Sequence, residues 1–172
     1  MILGLSIETF TFLHVVLSLV GIMTGFIVIA LMLSNAAIAG WNGFFLVSTA
    51  LTSLTGFLFP FGGFTAGQAI GIVSLIVLAI AMVAVWGRRL SGIWRPVYIG
   101  AALAALYLNV VVGVVQSFQK FVYLHQLAPN GSESPLVVTQ LVVLVLFIIL
   151  GIAAIRRYHP KLAGARTSRS AS

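Results

Sequence analysis

The stretch Trp86-Gly87-Arg88-Arg89-Leu90-Ser91-Gly92-Ile93-Trp94-Arg95-Pro96 decides the fold, because it is a short basic island in a chain with little other charge. Only 6% of the 172 residues are charged and 61% are hydrophobic. One apolar segment, at about 68–87, runs into the island, and another, at about 97–118, runs out of it. Each is near the ~20 residues that a helix rising 1.5 Å per residue needs to cross a bilayer. Working outward, further segments of this kind lie at about 10–33, 43–61 and 136–155. The chain therefore reads as all-α, a polytopic transmembrane helix bundle of five spans over residues 1–157. Residues 158–172 form a basic cytoplasmic tail, expected to be disordered because it has little to bury. The alternative is four spans plus a re-entrant hairpin made by 43–61 and 68–87.

The punctuation supports these boundaries. Pro60 and the glycines of Gly62-Gly63-Phe64-Thr65-Ala66-Gly67 break any helix between the second and third segments. Pro96 and Pro135 suit the first turns of the fourth and fifth helices, where a missing N–H costs nothing. Ala37-Ile38-Ala39 before Gly40 has the small-x-small form of a signal-peptidase site. However, no Lys or Arg precedes it and the apolar run of about 24 residues is too long for a signal peptide, so a retained first span is expected.

Charge sets the orientation. Arg88, Arg89 and Arg95, together with Arg156 and Arg157 at the end of the last span and Lys161, Arg166 and Arg169 of the tail, fall on one face of a five-span bundle. The other face receives Lys120 alone, with both acids, Glu8 and Glu133. Eight positive residues against one predict a cytoplasmic C-terminus and an outside N-terminus. Trp41, Trp86 and Trp94 then fall at the inner interface, where indole rings favour the headgroup layer. The net charge of +7 and pI near 11.0 do not indicate nucleic acid, because the cations flank membrane segments. A mean hydropathy of +1.20 excludes an ordinary soluble domain, where roughly 45–50% apolar is usual. The expected partners are the lipid bilayer and a second copy or another membrane protein.

Polar side chains in hydrocarbon are costly and tend to face the bundle, so they point to candidate sites. On the fourth helix Asn109, Gly113, Gln116 and Lys120 share a face. On the second, Ser48, Thr52 and Thr55 do the same, and the first supplies His14 and Ser18. Counting from the outer interface, His14 lies ~9 Å below Glu8 and Gln116 ~6 Å below Lys120. Gln140 sits about one turn below Pro135. A polar cluster of His14, Gln116 and Gln140 is therefore expected in the outer half, with Gln68 at its edge, Asn109 deeper, and Glu8 near Lys120 at the rim. Two readings of this layer stand: hydrogen bonds that hold helices together, or a ligand pocket. Small-residue pairs, Gly21 with Gly25, Gly67 with Gly71 and Ala101 with Ala105, favour close helix packing.

The sequence offers no catalytic signature. A bis-histidine haem needs two imidazoles at matched depth, and only His14 is inside the membrane, since His125 is in the outer loop and His159 in the tail. His14, His125 and Glu8 lack zinc-site spacing. There is no cysteine, no mid-membrane carboxylate and no phosphate loop. Asn130-Gly131-Ser132 fits a glycosylation acceptor in the outer loop, a pattern common by chance. Neither enzymatic activity, a metal nor a cofactor is expected.

Three stretches carry a resemblance. They are Thr55-Gly56-Phe57-Leu58-Phe59-Pro60-Phe61; Ala105-Leu106-Tyr107-Leu108-Asn109-Val110 running on to Gln116-Ser117-Phe118-Gln119-Lys120; and Leu127-Ala128-Pro129 with Ser132-Glu133-Ser134-Pro135. On these the chain resembles an uncharacterised group of small bacterial integral membrane proteins. The likeness covers most of residues 10–157 and leaves out the basic tail. It implies a bacterial inner-membrane location and carries no activity. The functional expectation is an accessory or structural membrane protein acting through helix–helix contacts, with small-ligand or lipid binding or permeation through the outer polar layer as the alternative.

Overall fold

The computed structural model describes residues 1–60 and 63–159. Among these residues every regular element is a helix and there is no strand. The helices are α1 (Ile7–Leu33), α2 (Ala39–Gly56), α3 (Ala66–Met82, continued by a π-helical turn at Val83–Gly87), α4 (Trp94–Lys120), α5 (Val122–Leu127) and α6 (Ser134–Arg157). The tail from residue 160 onward, with its expected disorder, lies outside the described residues, as do Phe61 and Gly62 of the second loop.

Local chemistry sets the helix ends. Ser6 caps α1 by accepting the Thr9 N–H at 3.1 Å. Thr65 and Gln68 form a reciprocal capping box at the start of α3. Pro135 occupies the first turn of α6. Between α3 and α4 the chain turns through left-handed backbone at Arg89, Leu90 and Gly92, which brings the two helices back side by side. The outer loop expected at 119–135 is not all loop, because it contains the short helix α5.

Among the described residues, four helices are long and apolar enough to cross a membrane: α1, α3 with its π turn, α4 and α6. The segment expected to span at 43–61 is instead the 18-residue α2, about 27 Å long, whose Asn, Ser, Thr and Gly content lowers its hydropathy below that of the other four. Its hydroxyls do not face outward; Ser48, Thr49 and Thr52 are all buried.

Helix pairings run end to end. Phe10 packs on Phe59 at 5.1 Å between ring centres, His14 meets Thr55, Gly21 meets Ser48 and Thr49, and Gly25 meets Phe45. α1 and α2 are therefore antiparallel over most of their lengths. α3 returns along α2, with Ser53 bonded to Ser74 and Phe57 against Gly71. α4 runs back along α3 and α1, and α6 packs on α4. Gly21 and Gly25 make this possible. A Cβ at Gly25 would lie 2.7 Å from Leu106 Cδ1 and 2.9 Å from a Phe45 ring carbon, so only glycine lets α1, α2 and α4 approach this closely without a shift. The apolar core around Met32, Phe45, Leu46, Ile99 and Leu106 sits nearer the arginine-bearing end. A smaller cluster of Phe118, Ala128 and Leu136 closes the other end, beneath the segment that joins α4 to α6.

Candidate functional site

Polar side chains form a seam through the bundle. It begins at the arginine-bearing end, where the buried Tyr98 hydroxyl donates to the Asn42 carboxamide oxygen. Midway, Ser18 donates to Asn109 Oδ1 at 3.0 Å, and Asn109 Nδ2 points back at the Ser18 carbonyl at 3.4 Å. Gly21 leaves space there; a Cβ on it would stand 2.9 Å from Thr49 Oγ1 and 3.1 Å from Asn109 Nδ2. Thr49 is 1% exposed and its hydroxyl has no hydrogen-bond partner. Further along, His14 Nδ1 lies 2.8 Å from Thr55 Oγ1. Thr55 already donates to the Leu51 carbonyl at 2.7 Å, which spends the hydroxyl's single hydrogen, so Nδ1 is the donor. The imidazole also meets Phe59 edge-on at 5.2 Å.

The expected cluster of His14, Gln116 and Gln140 does not assemble. His14 bonds α2 rather than α4. Gln140 donates from Nε2 to the Val111 carbonyl at 3.1 Å, while its Oε1 is buried without a partner. Gln116 is exposed, with no hydrogen bond to either of the others. Asn109 is the deeper member, as expected, and its partner is Ser18 on the facing helix. Glu8 and Lys120 are both exposed at the end opposite the arginines and are not joined by an ion pair. Gln68, expected at the edge of the layer, is occupied in the capping box with Thr65. Helical periodicity identified the polar faces of α1, α2 and α4, but it does not say which helix each face meets. Asn42 with Tyr98 and Ser53 with Ser74 were missed; the one signal for Asn42 was its amide inside an apolar run.

The loop between α5 and α6 is held by Glu133, whose carboxylate accepts from the Asn130 backbone and side chain at 2.9 and 2.8 Å and from the Ser132 N–H at 3.0 Å. The Asn130 backbone N–H, aided by the others, holds this carboxyl below the usual carboxylate range. Beside the loop, a groove of about 320 Å³ between α4 and α6 is lined by Tyr107, Val115, Leu136, Gln140 and Leu144.

The other end is basic. Arg88 stacks on Trp94 at 5.1 Å, and Arg95 Nη1 donates to the Tyr158 carbonyl at 2.7 Å. The His159 N–H donates to Asn35 Oδ1 at 2.8 Å, tying the end of α6 to the α1–α2 connection. Trp41 and Trp86 are exposed here. Burial pushes the Tyr158 phenol up from its ordinary range.

Comparison with protein-family models, with curated proteins and with solved structures gives no match in any of the three.

Proposed function

We propose that the chain is an integral protein of a bacterial inner membrane that crosses it five times, with the N-terminus outside and the C-terminus cytoplasmic. It acts as a non-catalytic accessory or structural component, through helix–helix contacts. The observation that carries this reading is how the interior polar groups are spent. His14–Thr55, Ser18–Asn109, Ser53–Ser74, Asn42–Tyr98 and Gln140–Val111 each join two different helices. Side-chain bonds between membrane helices are packing forces of ~0.6–2 kcal/mol each, and the close approaches at Gly21 and Gly25 leave little room for a solute. The five-crossing topology is supported by the antiparallel register of α1 with α2, since helices paired from Phe10–Phe59 to Gly25–Phe45 traverse similar depth.

One observation favours small-ligand or lipid binding instead: the α4–α6 groove beside Gln140, whose Oε1 has no partner. Light scattering and native mass spectrometry on gently solubilised protein separate the two. The accessory reading predicts recovery with a second copy or another membrane protein. A lone protomer carrying a small molecule that Gln140→Trp expels would overturn it.

A further inference from the structure

We propose that the arginine-bearing end is a binding site for an anionic phospholipid. Its phosphate is held by Arg88, Arg95 and the arginines ending α6, and one acyl chain lies along α4 over Gly100 and Ala104.

The trough follows from how the helices pack. α3 and α6 both lie against α4 rather than against each other, which leaves a strip of α4 facing outward. On that strip Gly100 is exposed, and a Cβ there would meet nothing within 4 Å. Ala104, one turn further, is half-buried. Two small residues in succession lower the floor by roughly the depth of a side chain. The neighbouring helices present exposed branched side chains toward the same end, Ile80 and Val83 on α3 and Ile152 and Ile155 on α6. Such a surface fits an acyl chain.

The charge sits at the mouth of this strip. Arg88 and Arg89 end α3, Arg95 lies in the first turn of α4, and Arg156 and Arg157 end α6. Both acids are at the opposite end, in the first turn of α1 and at the cap of α6, so no carboxylate competes for these guanidinium groups. Two of the five are held in place: Arg88 by the face of Trp94, and Arg95 by the Tyr158 carbonyl, which uses one of its five N–H donors. A guanidinium fork matches phosphate oxygens in pairs. Held forks lose less freedom on binding than free ones. An apolar trough that opens on such forks selects a phosphate carrying an acyl chain over a soluble one.

The site rests on insertion of the chain in a bilayer, which flotation with neutral vesicles tests separately. The binding test uses the full chain in mild detergent and native mass spectrometry. Phosphatidylglycerol and phosphatidylcholine with identical acyl chains are the probes, with inorganic phosphate as a soluble competitor. Phosphatidylglycerol should be retained at least about tenfold more strongly than phosphatidylcholine. Removing exposed charge in the double variant Arg88→Gln, Arg156→Gln should bring that preference down to about parity, since each arginine near the surface is worth up to about fivefold. Gly100→Phe, which fills the trough at an exposed position, should weaken retention of phosphatidylglycerol without lowering helicity or melting temperature. Equal retention of the two lipids would overturn the proposal. So would full retention in the Gly100→Phe variant, which would mean a charged rim without a lipid site. Competition by millimolar inorganic phosphate would assign the arginines to a soluble anion and also overturn it.

Discussion

Replacing Asn109 by Leu tests whether the interior polar seam holds helices together. Asn109 is 8% exposed, accepts from Ser18 at 3.0 Å, and directs Nδ2 at the Ser18 carbonyl at 3.4 Å, too long to count for much. One good bond is therefore at stake. Polar bonds between membrane helices average ~0.6 kcal/mol and reach ~1.7. The lower part of that range suits Ser18, because a serine in a helix can turn back to its own backbone when its partner is lost. Leu has the same branched outline but is bulkier, so no cavity is left, and its branched end must fit where Asn109 Nδ2 stands 3.1 Å from the Cβ position of Gly21. Crowding at that point adds up to ~1 kcal/mol. Asn109→Leu alone should cost ~1–2 kcal/mol, Ser18→Ala ~0.5–1, and the double variant less than their sum by ~0.6–1 kcal/mol. The assay is reversible unfolding of the four proteins in mixed micelles with increasing denaturing detergent. Additive single effects, or an Asn109→Leu protein more stable than the parent, would refute a holding role for this pair.

Gly25→Val should destabilise by ~1–3 kcal/mol through overpacking against Leu106 and Phe45, whereas Gly100→Ala, at an open helical position, should stabilise by up to ~1 kcal/mol; both are read in the same unfolding assay. Gln116→Leu should change stability by less than ~0.5 kcal/mol, since the side chain is exposed and joins no helix; a loss above ~1 kcal/mol would show a contact at Gln116. His14→Phe should weaken the α1–α2 contact by ~0.5–1.5 kcal/mol, and Thr55→Val should add little on top of it. Glu133 has a folded pKa below its unfolded value, so its hold on the outer loop is present above the ordinary carboxylate range and is lost as pH falls through the depressed pKa. Hydrogen-exchange protection of the Asn130 and Ser132 amides, corrected for intrinsic rate, should be steady near neutrality and collapse in acid, and Glu133→Gln should reduce it near neutrality and make no difference in acid.

The helices were readable because their signals are local. Prolines at 96 and 135, the Gly-rich break before Ala66 and the arginines after Gly87 mark their ends within a few residues. Depth was partly readable too: Asn109 and Ser18 were singled out separately and proved to be partners. Partner choice was not. Gln116 and Asn109 share a helical face, but one is exposed and the other buried, because α1 meets that face at Ser18 and Gly21 while its outer part turns to α2 through Phe10 and His14. Gln68 was misplaced for a different reason, since a Gln three residues after a Thr can serve the backbone as a cap. α5 escaped notice because six residues are too few to show a period.

Five crossings with the arginine-bearing end on the cytoplasmic side make up the central claim, and α2 is its critical element. The chain has no cysteine of its own, so single cysteines at Ala37, Phe64, Ile93 and Ser132 can each be labelled in intact cells with a membrane-impermeant maleimide. Phe64→Cys and Ser132→Cys should react from outside, and Ala37→Cys and Ile93→Cys only after the membrane is opened. Labelling of Ala37→Cys and Phe64→Cys from the same side would show that α2 does not cross, and would contradict the account.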